Sequence, residues 1–270
     1  MDKKEFIKGF PNREAIYVIY SKLTRLPYIV CNEQTFDDEV TIYTDRMMAE
    51  ESAANLENEG RPSFALRVPR ENNNYLRLFS EFYAYGVNAI QIYTEDDSEQ
   101  FQISELVKKR DFSELPEKQR PLDNPTLQIS MIYYMQEIRR QKEKIDNQLS
   151  RDLSEEMFAN IMRAKYYFTF RVQQIDGADK TQLSLMRMRD GKSWFPVYTD
   201  PLELNKFVAT QKGAEIGKDI KVDIITFDKL SSIPMPPESN GVLINPLGIS
   251  VPLPLELMKH LMESRKQADE

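Results

Sequence analysis

Residues 241–252 read Gly241-Val242-Leu243-Ile244-Asn245-Pro246-Leu247-Gly248-Ile249-Ser250-Val251-Pro252. The pattern is a short apolar strand, a four-residue turn and a second short strand. Asn245 suits the first turn position, Pro246 presets φ at the second, and Gly248 suits the fourth. Upstream lies Phe195-Pro196-Val197-Tyr198-Thr199-Asp200, and a similar string, Val40-Thr41-Ile42-Tyr43-Thr44-Asp45, occurs much earlier. The offset is 155 residues (43 to 198), and the pair Gly86-Val87 and Gly241-Val242 repeats it (86 to 241). Ala15-Ile16-Tyr17-Val18 resembles Ala164-Lys165-Tyr166-Tyr167 at an offset of 149 (15 to 164), which predicts a longer first hairpin loop in the second copy. These matches predict two related globular units, 1–115 and 116–270, with a charged, proline-bearing linker over 108–125. A solenoid would need three or more short repeats.

Local signals fill in each unit. Strands are predicted over 16–23, 27–32 and 39–44, from their aromatic and β-branched content. Thr44 or Asp45 caps a helix over 46–58, and Gly60 ends it. A strand over 63–68, a helix over 72–85, and a hairpin of 87–93 with 100–103 around Glu95-Asp96-Asp97 complete the first copy. In the second, Ser154 caps a helix over 155–163, and strands follow over 165–173 and 181–189. Asp190-Gly191 is a hairpin-turn signal leading to the strand 193–199. Asp200 caps a helix that starts at Pro201. A strand over 221–226, the quoted hairpin, and a last helix over 255–265 follow. The fold class expected is α+β: two related units, each a mixed or antiparallel sheet packed by helices. The first copy has no room for a counterpart of the helix predicted over 126–149, where Leu127, Met131, Met135, Ile138, Ile145 and Leu149 fall near a seven-residue period. That stripe is either the buried face of a helix packed on its own domain or a seam offered to a partner or a second copy.

Composition narrows the function classes. The chain has 270 residues, 41% of them hydrophobic, and a formal net charge of −7. An acidic balance argues against a nucleic-acid binder, which needs a basic face. One cysteine, Cys31, forbids an internal disulfide framework and a cysteine-rich zinc site; it reads as a small buried residue within a strand. No apolar leader segment and no apolar run of about 18 residues is present, so the expectation is a cytoplasmic protein without a membrane partner.

No catalytic signature stands out, and the expectation is a protein that is not an enzyme. The single histidine, His260, has no serine or cysteine nucleophile close in sequence. Gly213-Ala214-Glu215-Ile216-Gly217-Lys218-Asp219 is one residue short of a phosphate loop and puts Asp219 where the Mg²⁺-binding hydroxyl belongs. The acidic runs Glu95-Asp96-Asp97 and Asp152/Glu155/Glu156 lack the alternating ligands and turn glycine of a calcium loop, so no metal and no cofactor is expected. The nearest thing to a site is the recurring strand end. Tyr198, Thr199 and Asp200, with Tyr43 and Asp45 as their first-copy counterparts, lie beside helix N-termini, where ligand sites form. Trp194 lines a cleft there or fills core. Asn245 satisfies turn backbone groups. A buried strand end followed by an N-cap explains the same residues without a ligand.

The second unit resembles the SseB-like, or enhanced serine sensitivity, family of bacteria. Asn124-Pro125-Thr126-Leu127 is similar to the Asn-Pro-x-Leu helix start of such domains, Pro196–Asp200 to a strand-end motif, and Gly241–Gly248 to a closing hairpin. The resemblance covers about 120–262 and reaches the first copy only through the repeat, where Ile90 stands in place of Asn245 and no Pro-x-Gly turn follows. Family membership implies no enzyme activity. Two functions follow as expectations: a non-catalytic module that binds another protein or itself through helix 126–149, and a small-molecule sensor with its site at the Tyr-Thr-Asp strand ends.

Overall fold

The computed structural model describes residues 13–108, 111–175, 178–211 and 220–269. The Gly213–Asp219 loop and most of the lead-in before residue 15 lie outside the described residues. The chain forms two compact units that are interleaved in sequence: 1–115 with 128–154, and 116–127 with 155–270. Each has an α+β architecture built on one mixed sheet.

The first unit contains β1 (Ala15–Ser21), β2 (Ile29–Cys31), β3 (Asp38–Tyr43), α1 (Arg46–Asn58), β4 (Ser63–Pro69), α2 (Asn74–Ala84), β5 (Ala89–Tyr93), β6 (Ser98–Gln102) and the short α3 (Ile103–Leu106). The sheet order is β4-β1-β3-β5-β6, with β2 also on β3. The β3–β5 pair is parallel and the other pairs are antiparallel. Alternation along β1 sends Ile16 and Val18 to one face and Tyr17 and Ile19 to the other. On the latter face Ala49 and Ala53, one helical turn apart on α1, pack with Ile19 against Tyr17, Tyr43 and Ala65. Small residues at this spacing let a helix approach a sheet closely. Val40, Ile42, Phe82, Ile90, Ile92 and Phe101 are buried to 1% exposure or less. Burying a large apolar side chain contributes about 1.5–3 kcal/mol each.

The second unit repeats the path. Its elements are β7 (Lys165–Ile175), β8 (Ala178–Leu183), β9 (Met186–Arg187), β10 (Ser193–Tyr198), β11 (Lys221–Thr226), β12 (Ser239–Ile244) and β13 (Val251–Pro254). The order is β11-β7-β10-β12-β13, β10–β12 is parallel, and β9 sits on β10 as β2 sits on β3. Among the described strands only β8, which extends β7 into a ribbon, has no counterpart in the first sheet. The two sheets therefore share strand order and strand sense throughout.

Register refines the alignment behind this repeat. Tyr17 pairs with Tyr43 and Tyr43 with Tyr93, while Tyr167 pairs with Tyr198. Tyr17 thus matches Tyr167 rather than Tyr166. Val40 pairs with Ile90 and Phe195 with Val242, so Gly241 matches Ala89, not Gly86. Gly86 ends α2 at φ +90°, whereas Gly241 lies inside β12 at φ +136°, against the Leu253 carbonyl. The second matched landmark of the sequence is a coincidence of spacing. The place of Asn245 in the first unit is taken by Tyr93 rather than Ile90.

The helix expected over 126–149 is two helices, α4 (Pro125–Ile138) and α5 (Asn147–Arg163). The break has an electrostatic cause. Glu137 accepts hydrogen bonds from Arg140 and from the Asp146 N–H, folding the chain back on itself. The Asp146 carboxylate then caps α5 through the Gln148 and Leu149 N–H groups. Ser154 is consequently inside α5, bonded to the Arg151 carbonyl, and is not a cap. Residues 128–154 belong to the first unit, although the sequence groups them with 116–270. There the Gln136 amide exchanges two hydrogen bonds with the Ile29 main chain, as a neighbouring strand would. Gln128–Ile132 and Met135–Glu137 are all buried, so no exposed apolar seam runs along α4. Cys31, expected in the interior, ends β2 and is exposed.

Candidate functional site

In the second unit the three sequence motifs converge on one buried node. The Asn245–Gly248 turn forms as expected, closed by the Gly248 N–H donating to the Asn245 carbonyl at 2.9 Å. Asn245 takes φ +50°, a left-handed conformation that asparagine tolerates. Its side chain does not serve its own turn. Oδ1 accepts from the Thr199 N–H at 3.0 Å and Nδ2 donates to Thr199 Oγ1 at 2.8 Å. Thr199 Oγ1 donates in turn to Asp200 Oδ2 at 2.7 Å, and Asp200 Oδ1 accepts from the Glu203 N–H. Asp200 is therefore the N-cap of α6 (Pro201–Gln211). Asn124, just ahead of α4, donates to the Thr199 and Lys165 carbonyls. The Glu203 carboxylate pairs with Lys206 and lies against Gly248, where a Cβ would come within 2.4 Å of an oxygen.

This node is closed. Tyr198, Thr199 and Asn245 have 0% exposure and Asp200 has 5%. The Tyr198 ring packs on Phe207, and burial pushes its phenol far above the ordinary tyrosine range. Trp194 is buried at the other end of β10, paired with Met186, away from the node. The side chains of Asn245, Thr199 and Asp200 are linked by hydrogen bonds, as burial demands, whereas the buried Tyr198 hydroxyl has no hydrogen-bond partner among the described residues.

The first-unit counterpart is open. Asp45 caps α1 by accepting from the Met48 N–H at 2.9 Å. Thr44 sends both its N–H and its hydroxyl to the Tyr93 carbonyl, the latter at a long 3.4 Å. Tyr43 stacks on Tyr93 with ring centroids 5.2 Å apart, and burial raises the pKa of its phenol. Beside Thr44 a cleft of about 310 Å³ is lined by Arg13, Glu14, Ala15, Tyr17, Thr44 and Arg67. Pairing of Tyr17 with Arg67 and of Ala15 with Pro69 across β1 and β4 brings these distant residues together. Arg67 pairs with Glu14 at 3.1 Å.

Of the residues singled out in sequence, Tyr198, Thr199, Asp200 and Asn245 share the node. Tyr43 and Asp45 lie in the other unit, on either side of the Thr44 that lines the cleft. Arg13, Tyr17 and Arg67 were not singled out. No local pattern marks them, because only the pairing of β1 with β4 gathers them. His260 is exposed on α7 (Leu255–Asp269). Among the described residues no three of His, Cys, Asp and Glu gather as a metal site, and no helix is long and apolar enough to cross a membrane.

No family model and no curated protein matches the chain. Among solved structures, Tic22 from Plasmodium falciparum aligns over 96% of this chain and 98% of its own, at 9% identity and a TM-score of 0.21. Anabaena Tic22, described as a protein-transport protein, aligns over 85% and 84% at 10% identity and a TM-score of 0.22. Scores this low are reached by unrelated folds and carry no argument about this chain.

Proposed function

We propose that the protein is a non-catalytic binding module whose ligand is a small molecule, held in the cleft at the Thr44 end of β3. The observation that carries this reading is the cleft itself. The same strand end is sealed in the second unit and stands beside an open cleft in the first. About 310 Å³ lies at the lower end of the range for small-molecule sites. The lining offers guanidinium, phenol and hydroxyl groups that can orient a ligand.

The sealed node supports a structural role for Tyr198, Thr199, Asp200 and Asn245, holding β10, β12 and α6 together. The SseB-like resemblance of this unit belongs to the same reading, since the quoted family motifs meet at that node. Cytoplasmic residence is part of the proposal too, and the exposed Cys31 thiol fits a reducing compartment. Binding of another protein is the competing reading; with the expected helical seam interrupted after Ile138 and α4 buried, it has less to rest on.

Native mass spectrometry of protein purified gently from its host tests the proposal. The expected result is an added mass of metabolite size that is lost in Thr44→Val. An added mass of protein size, or an adduct indifferent to Thr44→Val, overturns it.

A further inference from the structure

The charge around the cleft is opposite to that of the chain. The protein carries −7 overall, yet the cleft lining has two arginines and one carboxylate. That carboxylate, Glu14, is 92% exposed and lies against Arg67, whose side chain is about half exposed. Arg70 adds a third positive charge nearby. The Arg70 N–H donates to the Glu14 carbonyl at 3.0 Å, and burial raises the Tyr75 phenol pKa against the opposing charges of Arg70, Arg67 and Arg13. That hydroxyl donates to the Arg13 carbonyl and so anchors the main chain that carries Arg13.

Two acidic groups at the start of α1 have partners of their own. Asp45 accepts from the helix N–H of Met48, and Glu50 pairs with Arg46 at 2.7 Å. At the inner wall, Thr44 offers a hydroxyl whose existing bond is long. Tyr17 adds a half-buried ring, held from behind by packing against Ala49 and Ala53. Two forked cations, a hydroxyl and a flat aromatic wall suit an oxyanion carried on a small organic body.

We infer that the cleft takes a small anionic molecule whose carboxylate or phosphate oxygens are held by Arg13 and Arg67. This rests on the small-molecule reading above and narrows its chemistry. Glu14 is the competitor: it occupies Arg67 when the cleft is empty and swings away, as a fully solvated side chain can, when an oxyanion arrives.

Thermal unfolding of the full chain tests the inference, with sodium phosphate and sodium glutarate as probes and sodium chloride at matched ionic strength as the reference. The proposal expects at least one probe to raise the midpoint above the chloride reference in a saturable way. Phosphate acting alone identifies a phosphoryl ligand, and glutarate alone a carboxylate. In Arg13→Gln/Arg67→Gln the half-saturating concentration rises about tenfold or more, as expected for loss of charge-assisted hydrogen bonds. Arg77→Gln on α2 serves as a control and leaves the response unchanged; far-UV circular dichroism verifies that every variant is folded. A wild-type midpoint no higher in either probe than in chloride overturns the inference, as does an equal response in the double variant. If both probes fail while a metabolite-sized adduct sensitive to Thr44→Val is present, the ligand is not an anion and only this inference falls. If the adduct is absent as well, the small-molecule reading falls with it.

Discussion

Thr44 and Thr199 occupy the same place in two sheets of the same order, yet one borders an open cleft and the other is sealed. The difference lies in the neighbouring parallel strand. At Thr199 the neighbour is Asn245, whose amide satisfies both the main-chain N–H and the hydroxyl at once. At Thr44 it is Tyr93, whose carbonyl accepts the N–H well and the hydroxyl poorly, and whose ring stacks on Tyr43. A single side-chain amide thus goes with a locked joint, and a tyrosine in its place goes with an accessible one. Of two matching strand ends, one is buried and the other stands beside an open cleft.

Substitutions that act on one copy and spare the other can break or sharpen this contrast. The protein has one tryptophan, Trp194 in β10, so fluorescence follows the second unit while circular dichroism follows both. The largest effect is expected from Gly241→Ala. A Cβ there would lie 2.1 Å from the Leu253 carbonyl oxygen at a φ of +136°. Loss of about 3–5 kcal/mol in urea unfolding by fluorescence is expected from the clash and backbone strain together. The first unit already has Ala89 at the matching place, and its unfolding should be unaffected.

Asn245→Ala comes next. It leaves the buried Thr199 N–H without its acceptor and puts alanine in a left-handed conformation, for a cost of about 2–4 kcal/mol. A loss below about 0.5 kcal/mol, within the range of ordinary surface substitutions, would show that the node is not what closes this strand end. Asp200→Ala and Asp45→Ala compare the two caps directly. Loss of an N-cap costs about 1 kcal/mol, the expectation for Asp45→Ala. Asp200→Ala should cost about twice that, because Asp200 is buried and also accepts from the Thr199 hydroxyl. Equal costs would mean that burial of the second strand end adds nothing. Thr44→Val should change stability least, by about 0.5 kcal/mol or less, given its long hydroxyl bond. Its effect belongs in ligand retention.

Much of this was legible in sequence wherever the signal was local. The N-cap Asp200, the Asn245–Gly248 turn and the Asp190-Gly191 turn each depend on a few adjacent residues and form as read, and of Thr44 and Asp45 it is Asp45 that caps α1. The Tyr-Thr-Asp repeat was legible for the same reason. Other features depend on contacts between distant segments. Glu137, with Arg140 and the Asp146 N–H, turns a seven-residue apolar period into two helices, and the cap of the second is Asp146, not Ser154. The arginines of the cleft meet only through the β1–β4 register, which no short motif encodes. The Asn245 side chain looked like a turn residue serving itself, and its true partner lies 46 residues away.

The Gln136 amide that completes the edge of β2 has a consequence for how the protein is made. Ile29 leaves the ribosome 107 residues ahead of Gln136. At about 5–20 residues per second, its main-chain groups wait roughly 5–20 s for that partner. Through that interval the outer edge of β2 lacks the amide that completes it in the folded unit.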